Sequence, residues 1–582
     1  MRLRSAWNAG FLCALLAALD RTGAAGTADA TGGGNAALQD LLRASAAAPP
    51  ALALRTELLT PSSRDAFLQQ LRDTVPDTVP EGVECKKVKR CDKRNVCAII
   101  CERGSVVVEP WLQHALALQR RLAYRRNFCH ARLPGTHNSA INMADGYGIE
   151  DHVFQGYLQY FSWFKQGMEV HTNDQLFSLT DQLQMGVRFI ELDVHWFDND
   201  LRIAHCGGFH SSLLDNMISV FNQIAKWLGT NIEWDSQTIG CKPSLSSIPS
   251  SEQRPLKEAL EELAKWLHAP ENEKEFLLVF FDDETNLYKW KKVRTLISHL
   301  RDYFPDNEIL LPSDLVKAKG WPSFEELLAV GKRVIFMSGS DYSPRGDDLL
   351  FVKDAICNWT EPSLPFEPYP ECDFPRDRVG PLSHQEWILR PETSEIVYGF
   401  LNADGHLGDN TYILNETTIP PMAECGVNIP SPDNITPRRM EAMVWAVDKQ
   451  QQLTPGKCVA LKRGSTHWTS VDCEEDGIVA LCAPKDRYSD WILTPVTVKE
   501  SAAKRACAEL GPEMVYQAPT NGYENKLVAA LLEQAGPTVK GVWIEAKDFV
   551  EAIYSRDSEA KNGGGDAGVI SRQHVDDILA IE

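Results

Sequence analysis

The sequence is short of positive charge. Its 582 residues include 59 Lys and Arg against 80 Asp and Glu, which gives a formal net charge of −21, and the densest basic cluster is only Lys86–Arg90. This balance argues against a nucleic-acid partner. It also argues against general electrostatic attraction to an anionic membrane, so any contact with lipid is expected to be local and partly apolar.

Long apolar runs are also lacking. The longest uninterrupted one, Phe11–Leu19, falls well short of the ~20 residues that a membrane-spanning helix needs. It follows two arginines and precedes a stretch of small residues, which is the pattern of a secretory signal. We therefore expect residues 1–26 to be a signal peptide, and the mature chain to be secreted and without a transmembrane segment.

Of the 15 cysteines, only Cys13 lies in this signal, so an even set of 14 would enter an oxidising compartment and form mostly disulfides. Four of them are closely spaced, and we expect two local disulfides among Cys85, Cys91, Cys97 and Cys101. A zinc cluster is the alternative, but no histidine lies among them. Cys357 and Cys372 are expected to close a Pro-rich loop. Three sequons predict a glycoprotein, at Asn358, Asn415 and Asn434.

The polar residues that carry chemistry are concentrated in residues 130–210. In the middle of this stretch, residues 186–196 are mostly β-forming and are bounded by glycine and aspartate, so they predict a strand. Side chains alternate along a strand, which places Glu191 and Asp193 on one face. Two neighbouring carboxylates in an apolar strand repel each other. We therefore expect a cation beside them, and a divalent ion is the simplest candidate.

A histidine ends a short apolar run on each side of this strand. His137 and Asn138 occur in Gly-Thr-His-Asn-Ser before it, and His205 follows Leu-Arg-Ile-Ala after it. Histidine transfers protons near neutral pH. Any one of these motifs alone also fits an ordinary buried histidine or a turn-forming aspartate. Together they supply the oxygen ligands and the acid/base pair of a metal-assisted phosphodiesterase.

The three motifs resemble the X region of phosphatidylinositol-specific phospholipases C. The resemblance implies an α/β fold, a TIM-type (β/α) barrel with its site at the C-terminal ends of the strands. Metal-free bacterial members carry an aspartate after the first histidine and an arginine in place of Asp193. This sequence has Asn138 and Asp193, so it resembles the calcium-dependent members. Their fourth ligand ends the next apolar strand, where Asp282 is the better match and Asp283 the alternative.

The resemblance also implies a role for each site residue. The expected Ca²⁺ ligands are Asn138, Glu191, Asp193 and Asp282. The base is His137 or a calcium-bound carboxylate, and His205 is the acid that protonates the leaving group. Asp433 is a candidate for the late aspartate that orients the first histidine in such barrels. The gap from Asn138 to Glu191 is long, and the intervening segment 143–174 is interpreted as an insertion at the mouth of the site.

The rest of the chain divides by composition. Residues 27–80 are expected to be a low-complexity linker or pro-segment, and 81–126 a Cys-rich lead-in that ends in a helix from about 110. Strands and helices then alternate over 127–436, the expected barrel. The predicted helices are 213–228, 252–267, 289–304 and 323–329, and the predicted strands are 276–281 and 333–337. Glu395–Phe400 and Cys425–Ile429 are the candidates for its closing strands.

Cys458, Trp468–Cys473 and Cys482 have the spacing of the second half of a C-type-lectin-like domain, and Glu500–Gly511, Pro519–Asn525 and Val542–Ile544 resemble its first half. Residues 437–555 therefore resemble such a module with its two halves in reversed order, and a disulfide-held, β-rich accessory domain of another type is the alternative. Either the module is circularly permuted, or the end of one module precedes the start of another. Calcium-dependent sugar binding is not expected, because Trp468-Thr469-Ser470 lacks the amide and carboxylate that ligate the ion in sugar-binding members. Residues 556–582 are interpreted as a flexible tail.

The sequence therefore favours a secreted phospholipase C that cleaves phosphatidylinositol, or an inositol glycolipid, at a membrane surface. One alternative is a metal-dependent glycerophosphodiesterase or sphingomyelinase D-like enzyme, which also uses a Glu-x-Asp strand and two histidines but would give Asn138 no role. A non-catalytic lectin-like binding protein is the third hypothesis. The sequence leaves the oligomeric state open.

Overall fold

The computed structural model describes residues 61–158, 171–204, 248–282, 286–318, 320–346, 349–380, 387–393, 395, 413–485 and 490–562. The expected signal peptide, His205, the helix expected at 213–228 and most of the expected tail lie outside these residues. The chain divides into two compact units, Met1–Val108 with Arg126–Met443 and Glu109–Arg125 with Val444–Glu582. The helix expected from about 110 is present and is part of the second unit.

The α-helices of the described residues range from one to four turns. They are α1 (Pro61–Asp73), α2 (Pro110–Tyr124), α3 (Asp151–Leu158), α4 (Leu179–Met185), α5 (Leu256–Leu267), α6 (Asn286–Lys289), α7 (Val293–Tyr303), α8 (Pro312–Ala318), α9 (Phe324–Ala329), α10 (Ile419–Glu424), α11 (Pro437–Glu441), α12 (Glu500–Ala508), α13 (Gly522–Gln534) and α14 (Lys547–Asn562).

The strands are short. They are β1 (Lys87–Cys91), β2 (Cys97–Cys101), β3 (Gly135–Thr136), β4 (Phe189–Phe197), β5 (Asp200–Ile203), β6 (Leu277–Asp282), β7 (Val334–Ser338), β8 (Leu350–Val352), β9 (Glu392–Thr393), β10 (Ser431–Pro432), β11 (Cys458–Lys462), β12 (Trp468–Val471), β13 (Ile478–Pro484), β14 (Ile492–Leu493), β15 (Met514–Tyr516) and β16 (Gly541–Ile544).

A parallel sheet forms the centre of the first unit. Its order is β3-β4-β6-β7-β8, and β5 adds an antiparallel hairpin to β4. The hairpin turns at Asp198 and Asn199, both with positive φ, as a two-residue turn between twisted strands requires. All five residues of β7 are buried, and so are most of those in β4 and β6. This agrees with a parallel sheet covered on both faces.

The segment that contains β10 continues the sheet beyond β3. The amides of Leu133 and Gly135 donate to the carbonyls of Asn428 and Pro430, at 2.9 and 3.1 Å. Gly135 allows this close approach, since a Cβ there would lie 2.5 Å from the Oγ of Ser431 and 2.8 Å from Ile429. β10 in turn pairs in parallel with β9. The α/β fold with a parallel sheet is confirmed, whereas the described residues do not show a closed barrel.

Most predicted elements of this unit are present, with shifted ends. The helix predicted at 252–267 begins only at Leu256, and the one predicted at 289–304 is interrupted, because α6 ends at Lys289 and α7 begins at Val293. The helix predicted at 323–329 is confirmed, with Ser323 and Glu326 forming a capping box. The first candidate closing strand is described only at Glu395.

The second candidate closing strand, Cys425–Ile429, is wrong. Cys425 caps the end of α10, and the strand begins two residues after Ile429, at Ser431. The predicted loop disulfide is also wrong, because Cys357 pairs with Cys129 and Cys372 pairs with Cys425. Proximity in the sequence misled here, since the fold brings together cysteines that are 228 and 53 residues apart. The two local disulfides are confirmed as Cys85–Cys101 and Cys91–Cys97.

The second unit contains one mixed sheet, ordered β12-β11-β16-β13-β14, with β15 paired to β13. β16 comes last in the chain yet lies between β11 and β13, so the two halves of the expected lectin-like module build a single sheet. Two disulfides attach to this sheet: Cys482–Cys507, in which both cysteines are fully buried, and Cys458–Cys473, in which Cys458 is fully buried and Cys473 partly buried. Trp468 and Trp543 are fully buried, and each indole N–H donates a hydrogen bond at 2.8 Å, to Asn525 and to Val498 respectively.

Candidate phosphodiesterase site

Strand register brings the predicted carboxylates together. β4 and β6 run parallel with Asp193 directly opposite Asp282, and Glu191 lies on the same face of β4, two residues before Asp193. One carboxylate oxygen from each of the three lies within 4.8 Å of the others. On the same face, Phe189 and Phe280 stack at 6.2 Å between ring centroids and form an apolar floor below the acids.

Asp193 is the acid of this cluster with the clearest need for a cation. It is 5% exposed, and within the described part of the chain its Oδ1 has no hydrogen-bond partner. Burial raises the pKa of Asp193 well above its ordinary value, and the charges of Asp282 and Glu191 raise it further. A buried oxygen with no donor, beside two other acids, is suited to a positive ion.

His137 and Asn138 enter the cluster from the end of β3. The backbone N–H of Asn138 donates to Oε2 of Glu191 at 3.0 Å, which joins the end of β3 to the carboxylates of β4. Asn138 is buried and has a φ of +44°. Asparagine adopts this left-handed conformation more readily than most residues. The two predicted residues are therefore positioned by a tight turn at the C-terminal end of a strand.

Asp433 orients His137, as the resemblance suggested. The Nδ1 of His137 lies 2.7 Å from Oδ1 of Asp433, whose Oδ2 accepts a hydrogen bond from the backbone N–H of Glu395 at 2.6 Å. Burial alone would lower the pKa of His137. The charge and hydrogen bond of Asp433, with the charge of Glu191, overcome that effect and raise the pKa well above its ordinary value. Nε2 is left as the nitrogen that can exchange a proton with a substrate.

His205 lies outside the described residues, but the chain is described up to the residue before it. β5 pairs with β4, and the backbone N–H of Ala204 donates to the carbonyl of Asp193 at 3.0 Å. The chain therefore passes Asp193 immediately before His205. The role of His205 stays a prediction.

Sequence reasoning missed Arg390, which is 1% exposed in the middle of the site. Its guanidinium contacts Oε2 of Glu191 at 2.5 Å, Glu361 at 3.2 Å and also Glu392. It also lies over the ring of Phe189, 4.9 Å from the centroid. This arginine is a fixed cation among three acids. The only sequence signal was a charged pair, Arg-Pro-Glu, directly after the apolar Trp-Ile-Leu run.

The end of the expected insertion also contributes to the site. Asp174 is buried, and an oxygen of its carboxylate lies within 4.8 Å of ligand atoms of His137 and Asp433. The side chain of Gln175 donates to the carbonyls of His137 and Pro432, at 2.7 and 3.0 Å. Gln175 thereby holds the end of β3 against β10. The spacing of the motifs indicated an insertion over 143–174, but not that its last residue, Asp174, and the next residue, Gln175, would lie beside His137.

The donor set fits a hard divalent cation. Asn138, Glu191, Asp193 and Asp282 offer one amide and three carboxylates, and calcium prefers oxygen ligands of this kind. Among the residues that the structure describes, none donates a hydrogen bond to the buried Oδ1 of Asp193. Carboxylate clusters also bind other divalent ions, so the donors by themselves do not select calcium. Arg390 already neutralises part of the charge on Glu191, which leaves Asp193 and Asp282 as the acids most in need of the ion.

No known protein-family profile matches the chain. Two uncharacterised proteins of Mycobacterium tuberculosis, one from strain CDC 1551 / Oshkosh and one from strain ATCC 25618 / H37Rv, are similar to it. Each is 22% identical over 480 residues, which cover 80% of this chain and 86% of the relative. The similarity extends over most of both chains, and the names of these relatives state no activity. In the described residues, no helix is both long and apolar enough to cross a membrane.

Proposed function

We propose that the protein is a secreted phosphodiesterase of the phospholipase C type that cleaves phosphatidylinositol or an inositol glycolipid. The observation that carries this proposal is the His137–Asp433 pair, joined through Asn138 and Glu191 to the carboxylates of Asp193 and Asp282. An oriented imidazole beside a cation-binding cluster is what phosphodiester cleavage requires. The described disulfides agree with an oxidising, extracellular compartment.

The architecture proposed for the first unit is a closed (β/α) barrel. The amide of Arg390 donates to the carbonyl of Thr360, and that of Thr360 to the carbonyl of Ile388, both at 2.9 Å. These two bonds pair the segment around Thr360 with residues 388–390, which come just before β9. Hydrogen-bonded neighbours are therefore described from β8 to β3, then through β10 and β9 to the segment around Thr360. A barrel would place the acids at the C-terminal ends of its strands, where barrel enzymes have their sites.

The residues divide the reaction between them. The inositol 2-hydroxyl attacks phosphorus and gives its proton to a base, either His137 at Nε2 or one of the carboxylates. The bond from phosphorus to the diacylglycerol oxygen breaks, and His205 donates a proton to that oxygen. A bound calcium ion would supply positive charge against the phosphate oxygens. The products are diacylglycerol and a cyclic inositol phosphate.

The deciding experiment mixes purified protein with phosphatidylinositol vesicles, with chelator or with calcium, and identifies both products. We expect turnover only with calcium. His137→Ala should lower the rate on the order of 10²–10⁴-fold, the usual contribution of a positioned proton donor or acceptor. His268→Ala is the matched control, since the Nε2 of this histidine also meets a carboxylate, that of Glu308 at 2.8 Å, but away from the site.

Near-normal turnover of His137→Ala, or full activity in excess chelator, would contradict the proposal. Glycerophosphoinositol and sphingomyelin are tested in parallel. Preferential cleavage of either compound over phosphatidylinositol would instead support the alternative function, that of a glycerophosphodiesterase or a sphingomyelinase D-like enzyme. Absence of turnover on all three substrates would favour a binding protein.

A further inference from the structure

Two exposed aromatic side chains lie in the short helix and turn that come after β6, the strand that ends at Asp282. Tyr288 and Trp290 are 47% and 43% exposed, whereas Leu287 beside them is fully buried. Backbone hydrogen bonds at 3.1 and 2.8 Å, from Lys291 to Tyr288 and from Lys292 to Leu287, close the turn above that buried residue. An ordered turn therefore holds both rings in solvent.

One basic side chain lies beside each of these rings. From Asn286 to Arg301 the chain has five Lys and Arg and no Asp or Glu, although acids outnumber bases in the whole sequence. The ammonium of Lys289 lies 5.5 Å from the centroid of Trp290, and the guanidinium of Arg345 lies 4.7 Å from that of Tyr288. We call Tyr288, Lys289, Trp290, Lys291 and Arg345 the aromatic–basic patch.

The patch lies at the same edge of the sheet as the candidate site. Tyr288 follows the C-terminal end of β6, and Arg345 follows the C-terminal end of β7. Asp282 is the last residue of β6, and Asp193 lies opposite it, where the parallel pairing of β4 with β6 ends and β4 continues into its hairpin with β5. Strands β4, β6 and β7 are parallel. A flat surface that contacted the patch would therefore face the edge at which a substrate enters.

We propose that the aromatic–basic patch docks the protein onto an anionic phospholipid surface, an inference that deepens the proposed function by naming the surface that presents its substrate. Tyrosine and tryptophan combine an apolar body with a polar tip and favour the headgroup region of a membrane. Lysine stems bury their methylenes while the ammonium stays in water. Positive charge confined to this turn attracts anionic headgroups locally, although the chain as a whole is acidic.

The test measures co-sedimentation of the full chain with vesicles of phosphatidylcholine alone and of phosphatidylcholine with phosphatidylserine, at low salt. Because these vesicles contain no inositol lipid, the result does not depend on whether the proposed phosphodiesterase function is correct. We expect binding to the anionic vesicles only, weakened by added salt. One basic residue near an anionic leaflet contributes about five-fold to partitioning. The variant Tyr288→Ala/Lys289→Gln/Trp290→Ala/Lys291→Gln should therefore bind on the order of 10- to 100-fold more weakly.

The matched control is Lys274→Gln/Val330→Ala. It removes an exposed lysine and an exposed apolar side chain at the opposite edge of the sheet, before β6 and β7. The control should bind anionic vesicles as the wild type does. Unchanged binding of the patch variant, an equal loss in the control, or no binding of the wild type to anionic vesicles would each overturn the proposal. If the proposed function holds, the patch variant should also keep its rate on a water-soluble inositol phosphodiester and lose rate on vesicles.

Discussion

Replacing Arg390 by methionine tests whether this buried cation and a metal ion share the task of neutralising the site. Arg390→Met keeps a side chain of similar length but removes the charge that contacts Glu191, Glu361 and Glu392. Arg390 is 1% exposed and Glu191 is 2% exposed, so water cannot replace the lost interaction. The acids would be left as uncompensated buried charges.

The expected magnitude follows from that burial. Breaking a buried ion pair by removing one partner costs ~3–5 kcal/mol of folding stability. For a unit of this size the loss corresponds to a fall in melting temperature on the order of 10 °C. The measurement is thermal and urea unfolding of wild type and variant in the presence of chelator.

Calcium should then restore part of the lost stability. An ion that binds only the folded state stabilises it in proportion to RT ln(1 + [L]/Kd), and an ion near Glu191 would have more negative charge to neutralise in the variant. We expect the melting temperature of Arg390→Met to rise more steeply with calcium than that of the wild type. Adding Glu191→Gln to Arg390→Met should cost less than the two single changes together, because the residues are in contact.

Arg188→Met is the matched control. Arg188 and Glu275 form a buried pair at 3.0 Å, with both side chains about as buried as those of Arg390 and Glu191, but before the N-terminal ends of β4 and β6. This control should lose comparable stability and gain nothing particular from calcium. If Arg390→Met is as stable as the wild type in chelator, or if calcium rescues Arg188→Met equally, the reasoning is refuted.

Two further substitutions separate catalytic geometry from structural charge pairing. Asp433→Asn removes the charge that orients His137, so kcat should fall on the order of 10²–10⁴-fold. An unaltered kcat would show that the pair is dispensable. The second substitution concerns Asp145. Burial would raise the pKa of Asp145, but the charges of Arg254 and Arg103 hold this pKa below the ordinary value of 3.8. The ionised carboxylate therefore stabilises the fold above pH 3.8, and this contribution is lost as the pH falls through the lower pKa of the folded state. Asp145→Asn should therefore lower the urea midpoint of unfolding at neutral pH, and below about pH 4 the midpoint of the variant should change less with pH than that of the wild type. An equally steep fall of both midpoints with decreasing pH would contradict this.

The sequence by itself determined the elements on which the candidate site stands. The strand around Glu191 and Asp193 and the apolar run that ends at Asp282 follow from local composition and from the two-residue period of a strand. The sequence also sufficed to predict two local disulfides among Cys85, Cys91, Cys97 and Cys101, because short loops close at little entropic cost. Which cysteine pairs with which was decided by the structure.

Only the tertiary structure decided which distant residues meet. Arg390 lies 199 residues after Glu191, and its side chain enters the site because backbone hydrogen bonds attach its segment beside Thr360. Its lone charge follows no hydrophobic period that would reveal its position. The same holds for Cys357, which pairs across 228 residues with Cys129 instead of with its neighbour Cys372.

The register between strands was likewise beyond the sequence. Asp193 lies within one predicted strand and Asp282 ends another, but a shift of one residue between β4 and β6 would have placed them on opposite faces of the sheet. Local propensity fixes which residues are extended, because it depends on neighbours in the chain. Register and long-range pairing depend on packing the whole core, and that packing brought Glu191, Asp193 and Asp282 together near His137.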